Sequence, residues 1–366
     1  MEIRRDVSLK PFTTFKVGGP AGYFASAATQ DDFFQALQFA RDVRLPIFVL
    51  GGGSNILVSD NGFPGMVIHP AMRGIAISAA ESDKVILRAE AGETWDDVVR
   101  CAVEQNLWGI ENLSHIPGQA GAAIVQNIGA YGQQISDVFV SATVMETGSG
   151  NMTTLSARDC GFGYRKSIFN SGCKNEFIIL QLELALRRRG RPDLSYPDVS
   201  RYFSERGVEA PSILQVRNAV IEIRDHKFPF PREEKGGNAG SFFKNLVLDE
   251  AEFETLRANI RRNFSAAESD RLEEIRRPGN EAPTKVPTAF LIEICGLKGH
   301  QEGNARVNPT QPLVLLNDGG ATAHDVLTLA GFVRHTVHAR TGMTIALEPE
   351  LVGFSPEEAE KYLALE

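Results

Sequence analysis

The segment from residue 31 to residue 55 constrains the fold of this chain more than any other part of its sequence. Apolar residues recur at helical spacing over 31–44, a compact apolar run follows at 46–50, and three consecutive glycines stand at 51–53. The first pattern is typical of an amphipathic helix and the second of a short buried strand. Glycines that follow a buried strand let the backbone come close to a ligand. The segment therefore predicts a helix, a strand and a ligand-facing turn in direct succession.

The same alternation continues along the chain and predicts an α/β (α+β) fold. Strands are predicted at 66–69, 85–89, 138–146, 177–186 and 313–316, and helices at 212–224, 249–263, 287–295 and 323–341. A further helix is predicted to begin at Thr94, with Asp97 completing a capping box. Residues 111–132 are rich in glycine and alanine without regular periodicity, which predicts a loop that wraps a ligand. A long surface loop is the alternative.

Composition limits the class of protein. A chain of 366 residues with 43% hydrophobic residues has room for two or three domains. Its formal net charge of −8 provides no overall attraction for nucleic acid or an anionic membrane, so an anionic substrate has to meet locally placed cations. The basic run at 187–192 has no interleaved aromatic residues and is interpreted as solvated surface.

Location and metal content are also expected from the sequence. The N-terminus carries mixed charges and no apolar core, and no later apolar run approaches the roughly 20 residues of a membrane span, so a cytoplasmic protein is expected. The four cysteines are widely spaced, which predicts free thiols rather than disulfides. His335 and His338 would share a helical face without a third ligand nearby, so no metal site is predicted.

The glycine loop at 51–55 suits a phosphate because its N–H groups can converge on an anion. It lacks the Gly-Lys-Ser/Thr ending of a P-loop and the GxGxxG of a Rossmann dinucleotide site, which argues against ATP hydrolysis and an ordinary NAD site. A tight turn is the simpler alternative. The second small-residue segment, at 116–132, suits backbone lying against a flat ligand.

Seven motifs give the chain a specific resemblance. They are KPFTTF at 10–15, GGGSN at 51–55, IPG at 116–118, QNIGAYG at 126–132, FGYR at 162–165, GNAGSFFKN at 237–245 and LEPE at 347–350. In this order they resemble the UDP-N-acetylenolpyruvoylglucosamine reductases over nearly the whole chain. The loop containing Tyr196 and the tail after Leu347 resemble the form of the family with an extra tyrosine loop over the substrate.

The resemblance implies a fold. FAD would be held noncovalently by two α/β subdomains like those of vanillyl-alcohol oxidase relatives, and a third α/β domain would bind substrate. The expected division is 1–70 and 71–225 for flavin, with 343–366 returning to 71–225, and 226–342 for substrate. A monomer is expected.

The resemblance also implies a reaction. NADPH would reduce the flavin, and the reduced flavin would pass a hydride to the enolpyruvyl double bond of UDP-N-acetylglucosamine enolpyruvate. The product would be UDP-N-acetylmuramate for peptidoglycan.

Three residues match the family's catalytic positions. Arg165 would hold the substrate carboxylate, where negative charge develops after hydride addition. Ser241 would donate the proton to C2, and Glu350 would stabilise the enol form if it were protonated. Without the resemblance, Arg165 and Glu350 would be interpreted as surface residues and Ser241 as a helix cap.

The remaining site residues also follow from the resemblance. Those expected at the substrate are Tyr164, Tyr196, Arg224, Lys227, Asn245 and Gln301, with Tyr196 and Lys227 near the diphosphate. Those expected at the flavin are Gly51, Gly52, Gly53, Ser54, Asn55, Ile116, Pro117, Gly118, Gly121, Ala122, Ile128 and Gly129.

Two other functions fit parts of the sequence. A flavin oxidase of the same fold would tether its flavin through a histidine or cysteine, and His69 and His115 are the histidines nearest the predicted binding loops. A nucleotide-sugar binding protein without flavin is the second alternative.

Overall fold

The computed structural model describes residues 1–80, 83–227, 236–276 and 284–365. Within those residues the helices are α1 (Gln30–Val43), α2 (Trp95–Glu104), α3 (Ala120–Val125), α4 (Pro197–Ser204), α5 (Ile213–Lys227), α6 (Glu250–Asn263), α7 (Ala266–Ile275), α8 (Thr288–Ile294), α9 (Ala323–Thr341) and α10 (Pro356–Leu363). The strands are β1 (Arg4–Ser8), β2 (Pro20–Ala27), β3 (Ile47–Val49), β4 (Ile56–Val58), β5 (Phe63–Pro70), β6 (Ile75–Ala79), β7 (Lys84–Glu90), β8 (Gly129–Ala130), β9 (Gln133–Gln134), β10 (Phe139–Glu146), β11 (Met152–Ser156), β12 (Phe177–Arg187), β13 (Leu246–Leu248), β14 (Thr284–Val286), β15 (Gln301–Glu302), β16 (Ala305–Val307), β17 (Leu315–Asn317) and β18 (Glu350–Val352). The predicted mixed α/β class is confirmed.

The chain groups into two compact units. The first unit consists of Met1–Val7, Ala21–Gly52 and Pro64–Phe230, and the second of Ser8–Pro20, Gly53–Phe63 and Pro231–Glu366. The sequence predicted that 343–366 returns to 71–225, whereas the structure groups these residues with the second unit. The physical reason is backbone pairing, because β18 lies parallel to β4 with Leu351 opposite Leu57. Residues 228–235, next to the boundary expected at 226, lie outside the described residues, so that boundary stays a prediction.

The first unit holds two sheets. One has the strand order β1-β2-β5-β3 and the other the order β11-β10-β12-β7-β6. Strand β12 serves two cores, since Leu180 packs with α1 and β5 whereas Leu182 packs with α2 and α3. The pairing of β12 with β10 shifts register between Thr143 and Val144. A bulge there exchanges the faces of the strand, which explains why Leu180 and Leu182, two positions apart, lie in different cores.

Two local predictions in the first unit are wrong. Thr94 precedes α2, but it makes no capping hydrogen bond, and its hydroxyl accepts instead from Arg73 Nη1 at 3.2 Å. A side-chain partner from elsewhere in the fold therefore replaces the predicted capping box. Residues 111–132 are not one loop, because α3 forms inside them. Gly121 makes this possible, since a Cβ there would lie 2.7 Å from the Cβ of Ala91.

The second unit surrounds α9 with one apolar core. Helices α6 to α8, the pair β13 and β14, and the three-stranded sheet β15-β16-β17 all contribute buried residues to it or lie beside it. Thr322 and Asp325 form a capping box at the start of α9, and Asp60 accepts from the N–H groups of Ala323 and His324. These side chains accept hydrogen bonds from N–H groups in the first turn that have no partner within the helix. The predicted start of the helix at 323 is confirmed. No helix in the described ranges combines the length and apolar character needed to cross a membrane.

Candidate active site

The two glycine-rich segments of the first unit meet backbone to backbone. A Cβ on Gly52 would lie 2.5 Å from the Cα of Gly118, and a Cβ on Gly51 would lie 2.9 Å from the Cβ of Ala122. Side chains at 51 and 52 would separate the two segments. This close approach is to other parts of the protein, and the predicted approach of the same backbone to a ligand stays a prediction.

The glycine loop also offers hydrogen-bond donors. The N–H groups of Gly52, Gly53 and Ser54 donate to no other residue in the described ranges, and Gly53 is buried. Buried backbone donors are nearly always paired in proteins, with a ligand or water where no protein acceptor exists. Successive N–H groups without a protein acceptor can bind phosphate oxygens. The loop thus fits the diphosphate of a dinucleotide such as FAD.

The second segment holds one polar side chain that sequence reasoning missed. Gln119 is buried, its Nε2 donates to the carbonyl oxygen of Pro70 at 2.9 Å, and its Oε1 has no partner among the described residues. Gly118, just before it, has φ of 126°, a conformation that favours glycine. A glutamine between small residues gives no sequence signal, because its partner lies 49 positions away.

The backbone before Ile116 is fixed by charged residues. His115 has φ of 60°, its N–H donates to Asp96 Oδ1 at 2.5 Å, and its carbonyl oxygen accepts from Arg224 Nε at 2.9 Å. Asp225 Oδ1 lies 3.0 Å from His115 Nε2. A non-glycine residue with positive φ is strained and persists only where its surroundings hold it. Helices α2 and α5 therefore hold the start of the 116–118 segment.

Asp96 is the centre of this network. Its two carboxylate oxygens accept from both Nη atoms of Arg217, each at 2.7 Å. Burial by itself would raise the pKa of the Asp96 carboxyl, but the Arg217 fork and the His115 N–H lower it below its ordinary value. The pair joins residues 121 positions apart, so neither residue carried a sequence signal for this role.

Arg165 lies in a tight turn. Gly163 and Lys166 exchange backbone hydrogen bonds across it, and Arg165 itself has φ of 53°. Its Nη2 donates to the carbonyl oxygen of Gly129 at 2.9 Å, and its guanidinium carbon lies 5.6 Å from the centroid of the exposed Tyr164 ring. The structure thus brings two residues expected at the substrate together with one expected at the flavin. The strained turn fixes where the guanidinium points.

Arg224 and Lys227 lie on α5, and Tyr196 immediately precedes α4. The Tyr196 ring packs edge-on against Tyr131 at 5.2 Å between centroids, and burial raises the pKa of Tyr131 to about 12 even though Arg224 lies beside it. Lys227 Nζ lies 2.5 Å from a carboxylate oxygen of Asp198 in the first turn of α4. The three expected substrate residues are therefore linked through Tyr131 and Asp198.

In the second unit, Ser241 lies in extended backbone. Gly240 before it has φ of 71°, Ser241 pairs with Val314, and Phe242 N–H donates to the carbonyl oxygen of Leu313 at 2.6 Å. Phe242 and the following Phe243 are completely buried. The helix-cap interpretation of Ser241 is therefore wrong, because no helix begins there. Two buried aromatic rings anchor the segment and leave Ser241 half-buried.

Glu350 is joined to the Ser241 segment by backbone contacts. The Glu348 N–H donates to the carbonyl oxygen of Phe242 at 2.9 Å, and the Glu350 N–H donates to that of Asn55 at 3.0 Å. Asn55 Nδ2 in turn donates to the carbonyl oxygen of Glu348 at 3.3 Å. Glu350 is half-buried rather than a surface carboxylate. The second unit thus brings together the end of the glycine loop, the residue after Ser241 and the strand of Glu350.

The two other predicted residues of the second unit differ in their surroundings. Asn245 Oδ1 accepts from the N–H of Thr288 at 3.1 Å and so caps α8. Gln301 is exposed on β15, and its Nε2 donates to the carbonyl oxygen of Gly303 at 2.8 Å. Within the described residues, the structure shows no hydrogen bond from Gln301 to another predicted site residue. Asn245 lies on the Ser241 segment, whereas Gln301 does not.

The described part of the chain contains no group of three or more His, Cys, Asp or Glu side chains arranged to hold a metal ion. All four cysteines are free, and Cys160 and Cys295 are buried. Burial raises the pKa of Cys160 to about 12 and that of Cys295 to about 11, so both stay protonated thiols near neutral pH.

Two family models match the chain. Residues 21–156 match an FAD binding domain, and residues 231–352 match the C-terminal domain of UDP-N-acetylenolpyruvoylglucosamine reductase. The first match contains all the residues expected at the flavin, and the second contains Asn245 and Gln301 but not the expected substrate residues that precede residue 228.

Curated relatives match almost end to end. The UDP-N-acetylenolpyruvoylglucosamine reductase of Pseudomonas fluorescens (strain Pf-5) is 38% identical over 351 residues, which cover 96% of this chain and 99% of the relative. That of Flavobacterium johnsoniae is 36% identical over 353 residues, covering 96% and 100%. The solved structure of the UDP-N-acetylenolpyruvylglucosamine reductase of Thermus caldophilus is 26% identical with a TM-score of 0.63, covering 96% of this chain and 99% of that one. The resemblance seen in the motifs is confirmed, and the chain belongs to the UDP-N-acetylenolpyruvoylglucosamine reductase family.

Proposed function

We propose that this protein reduces UDP-N-acetylglucosamine enolpyruvate to UDP-N-acetylmuramate, with FAD as cofactor and NADPH as hydride donor, as a cytoplasmic step of peptidoglycan precursor synthesis. The observation that carries this function is the match to the reductases over 96% of the chain. Both an FAD-binding part and the reductase's own C-terminal domain are present.

Two glycine-rich backbone segments supply the cofactor contacts in this proposal. Bound FAD would take a hydride from NADPH and deliver it to C3 of the enolpyruvyl group. The paired backbone of Gly51, Gly52 and Gly118 would hold FAD, and the N–H donors of the glycine loop would meet its diphosphate. Asp96 and Arg224 hold the backbone of His115 and thereby keep the start of the 116–118 segment in position.

Arg165 would hold the substrate carboxylate. Addition of a hydride at C3 leaves negative charge at C2 that spreads into the carboxylate, and a guanidinium can bind both carboxylate oxygens. The bond to the Gly129 carbonyl oxygen uses one Nη2 hydrogen of Arg165 and orients the fork. Because the orientation is set before substrate arrives, little is lost to reorganisation when charge develops.

Ser241 would give its proton to C2, and Glu350 would hydrogen-bond to the enol form. A serine hydroxyl is a weak acid, so the proton needs the driving force of the carbanion-like intermediate and support from neighbouring groups. The segments that carry the two residues are joined by the hydrogen bond from Glu348 to Phe242. This pairing supports a shared role in the same proton transfer.

Lys227 and Tyr196 would meet the diphosphate of the substrate, with Arg224 close by. The acidic chain needs local cations for an anionic ligand, and Arg224 and Lys227 supply two of them in the last turn of α5. NADPH carries phosphates too, and the same cations would serve it in turn. We propose that the protein is a monomer.

One assay tests the function. NADPH loss is followed aerobically with and without the UDP substrate, and the protein is then precipitated with trichloroacetic acid. We expect loss of NADPH that depends on the substrate, and yellow colour in the supernatant. Colour retained in the pellet would favour the covalent oxidase, and a colourless purified protein would favour the binding protein.

A further inference from the structure

The amide of Gln119 lies beside the glycine loop within the first unit. The side chain is 7% exposed, and its Oε1 would be 3.6 Å from a Cβ placed on Gly51. No described residue donates a hydrogen bond to that oxygen. A buried acceptor is therefore held where the two glycine-rich segments meet.

The orientation of this amide is set by the protein. Nε2 donates to the carbonyl oxygen of Pro70 at 2.9 Å, and exchange of the nitrogen and oxygen positions would bring two acceptors together. An unpaired buried acceptor costs free energy, and such groups in native proteins usually have a ligand or water as partner. The next four residues cannot take this role, because Ala120, Gly121, Ala122 and Ala123 carry no polar side chain.

We propose that Gln119 Oε1 accepts a hydrogen bond from the isoalloxazine and ribityl half of FAD. The inference rests on the proposed flavin function and deepens it by assigning a contact to a residue outside the predicted set. The partial negative charge of the amide oxygen indicates which half of FAD it contacts. It would repel the diphosphate, which has only hydrogen-bond acceptors at neutral pH. The ribityl hydroxyls and the ring N–H are donors, so they satisfy the oxygen.

The test uses ligand affinities of the apo-protein. FAD is removed, and FAD, FMN and ADP are titrated into the wild type and into Gln119→Met, which has similar length and no amide. We expect the Kd of both FAD and FMN to rise about 3- to 10-fold, the effect of one neutral hydrogen bond, and the Kd of ADP to stay unchanged. Unchanged FAD and FMN affinities would overturn the proposal. Weaker binding of FAD with unchanged binding of FMN would assign the contact to the adenine half of FAD and would also overturn the proposal.

A second variant tests whether an acceptor at position 119 restores cofactor binding. In Gln119→Glu, the protonated carboxyl can donate to the Pro70 oxygen and keep an acceptor, whereas the ionised form cannot donate. We expect its FAD affinity to approach that of the wild type as pH falls, while the Gln119→Met deficit stays constant relative to wild type. Equal deficits in both variants at every pH would overturn the proposal, because the protonated glutamate keeps the acceptor that methionine lacks.

The controls distinguish this inference from the proposed function. Thermal unfolding of the apo forms shows whether either variant disturbs the fold. Wild-type apo-protein that fails to bind FAD would contradict the proposed function itself. Wild-type binding with no change in either variant would contradict only the role of Gln119.

Discussion

The two units hold their candidate site residues by different means. In the first unit, side chains fix the site backbone, as Asp96, Arg217 and Arg224 do around His115. In the second unit, backbone hydrogen bonds fix the site. The N–H of the residue after Ser241 and the N–H of Glu350 donate to carbonyl oxygens of neighbouring segments. Side-chain networks depend on the identity of each member, whereas backbone pairing depends little on which side chain stands at a position. A substitution in the side-chain network of the first unit is therefore expected to disturb a whole segment, whereas a substitution of Ser241 is expected to remove one function.

The largest effect is expected in the second unit. Ser241→Ala should slow reoxidation of the reduced flavin by the enolpyruvyl substrate by about 10²-fold or more, the scale of losing a positioned acid. Flavin reduction by NADPH should stay nearly intact because the backbone pairing of the segment does not use the hydroxyl. Stopped-flow measurement of each half-reaction tests this.

The control is Ser269→Ala on α7, which makes the same change elsewhere in the second unit. It should leave both half-reactions unchanged. If Ser241→Ala slowed both half-reactions equally, the proton-donor role would be refuted.

In the first unit, removal of one network member should cost stability. Asp96→Asn should destabilise this unit by about 2 kcal/mol, less than a fully buried pair because the Asp96 side chain is 23% exposed. Both tryptophans of the chain, Trp95 and Trp108, lie in the first unit, so urea unfolding followed by tryptophan fluorescence reports on it. The neighbouring Asp97→Asn is the matched control, since its ion pair with Arg100 is exposed and worth at most about 0.5 kcal/mol.

The difference in unfolding free energy between wild type and Asp96→Asn should depend on pH. The pKa of the Asp96 carboxyl is lowered in the folded state from an ordinary value of 3.8, so its stabilisation is present above that value. It should be lost as pH falls through the folded-state pKa. The gap between wild type and Asp96→Asn should therefore narrow below pH 3.8. A gap that widened there would contradict the role of the ionised carboxylate.

Gly52→Ala tests the approach of the two glycine-rich segments. Its Cβ would lie 2.5 Å from a backbone atom of Gly118, so one segment has to move. We expect the Kd for FAD to rise about 10-fold, equivalent to about 1.4 kcal/mol. Gly148→Ala is the matched control, because a Cβ there meets nothing within 4 Å. Equal FAD affinities in the two variants would show that the close approach does not shape the cofactor site.

The smallest effect concerns the ion pair of Lys227 and Asp198. Lys227→Ala should weaken binding of both NADPH and substrate, because the proposal assigns phosphates of each to this ammonium. Asp198→Asn should tighten UDP binding about 3-fold, since it removes a carboxylate that competes for Lys227 across a partly exposed pair.

Isothermal titration with UDP measures the second change. Glu205→Gln at the end of α4 makes the same charge change away from Lys227 and serves as control. Weaker UDP binding in Asp198→Asn would mean that Asp198 positions the ammonium rather than competing for it. Unchanged affinity of Lys227→Ala for either ligand would refute the shared cation.

Elements with strong local signals were predicted from the sequence. The predicted helix at 323–341 coincides with α9, and the helix predicted at 249–263 begins one residue before α6. Helical periodicity and capping residues lie within a few positions of each other, so they are readable without the fold. The capping box of α7, at Ser265 and Glu268, was equally readable and was missed.

Elements that depend on distant partners were not predicted. Helix α3 forms where the sequence indicated a loop, because Gly121 packs against Ala91. Thr94 lost its predicted capping role to Arg73. In both cases a tertiary contact overrode a local pattern.

The sequence by itself determined the family, the α/β class and the candidate site residues, because motifs and periodicity are local properties of the chain. The tertiary structure decided how those residues are held. It joined Asp96 to Arg217 across 121 positions, placed Gln119 with an unpaired oxygen beside the glycine loop, and paired β18 with β4. Such contacts form between segments far apart in sequence, where burial and hydrogen-bond geometry select partners that no local pattern specifies.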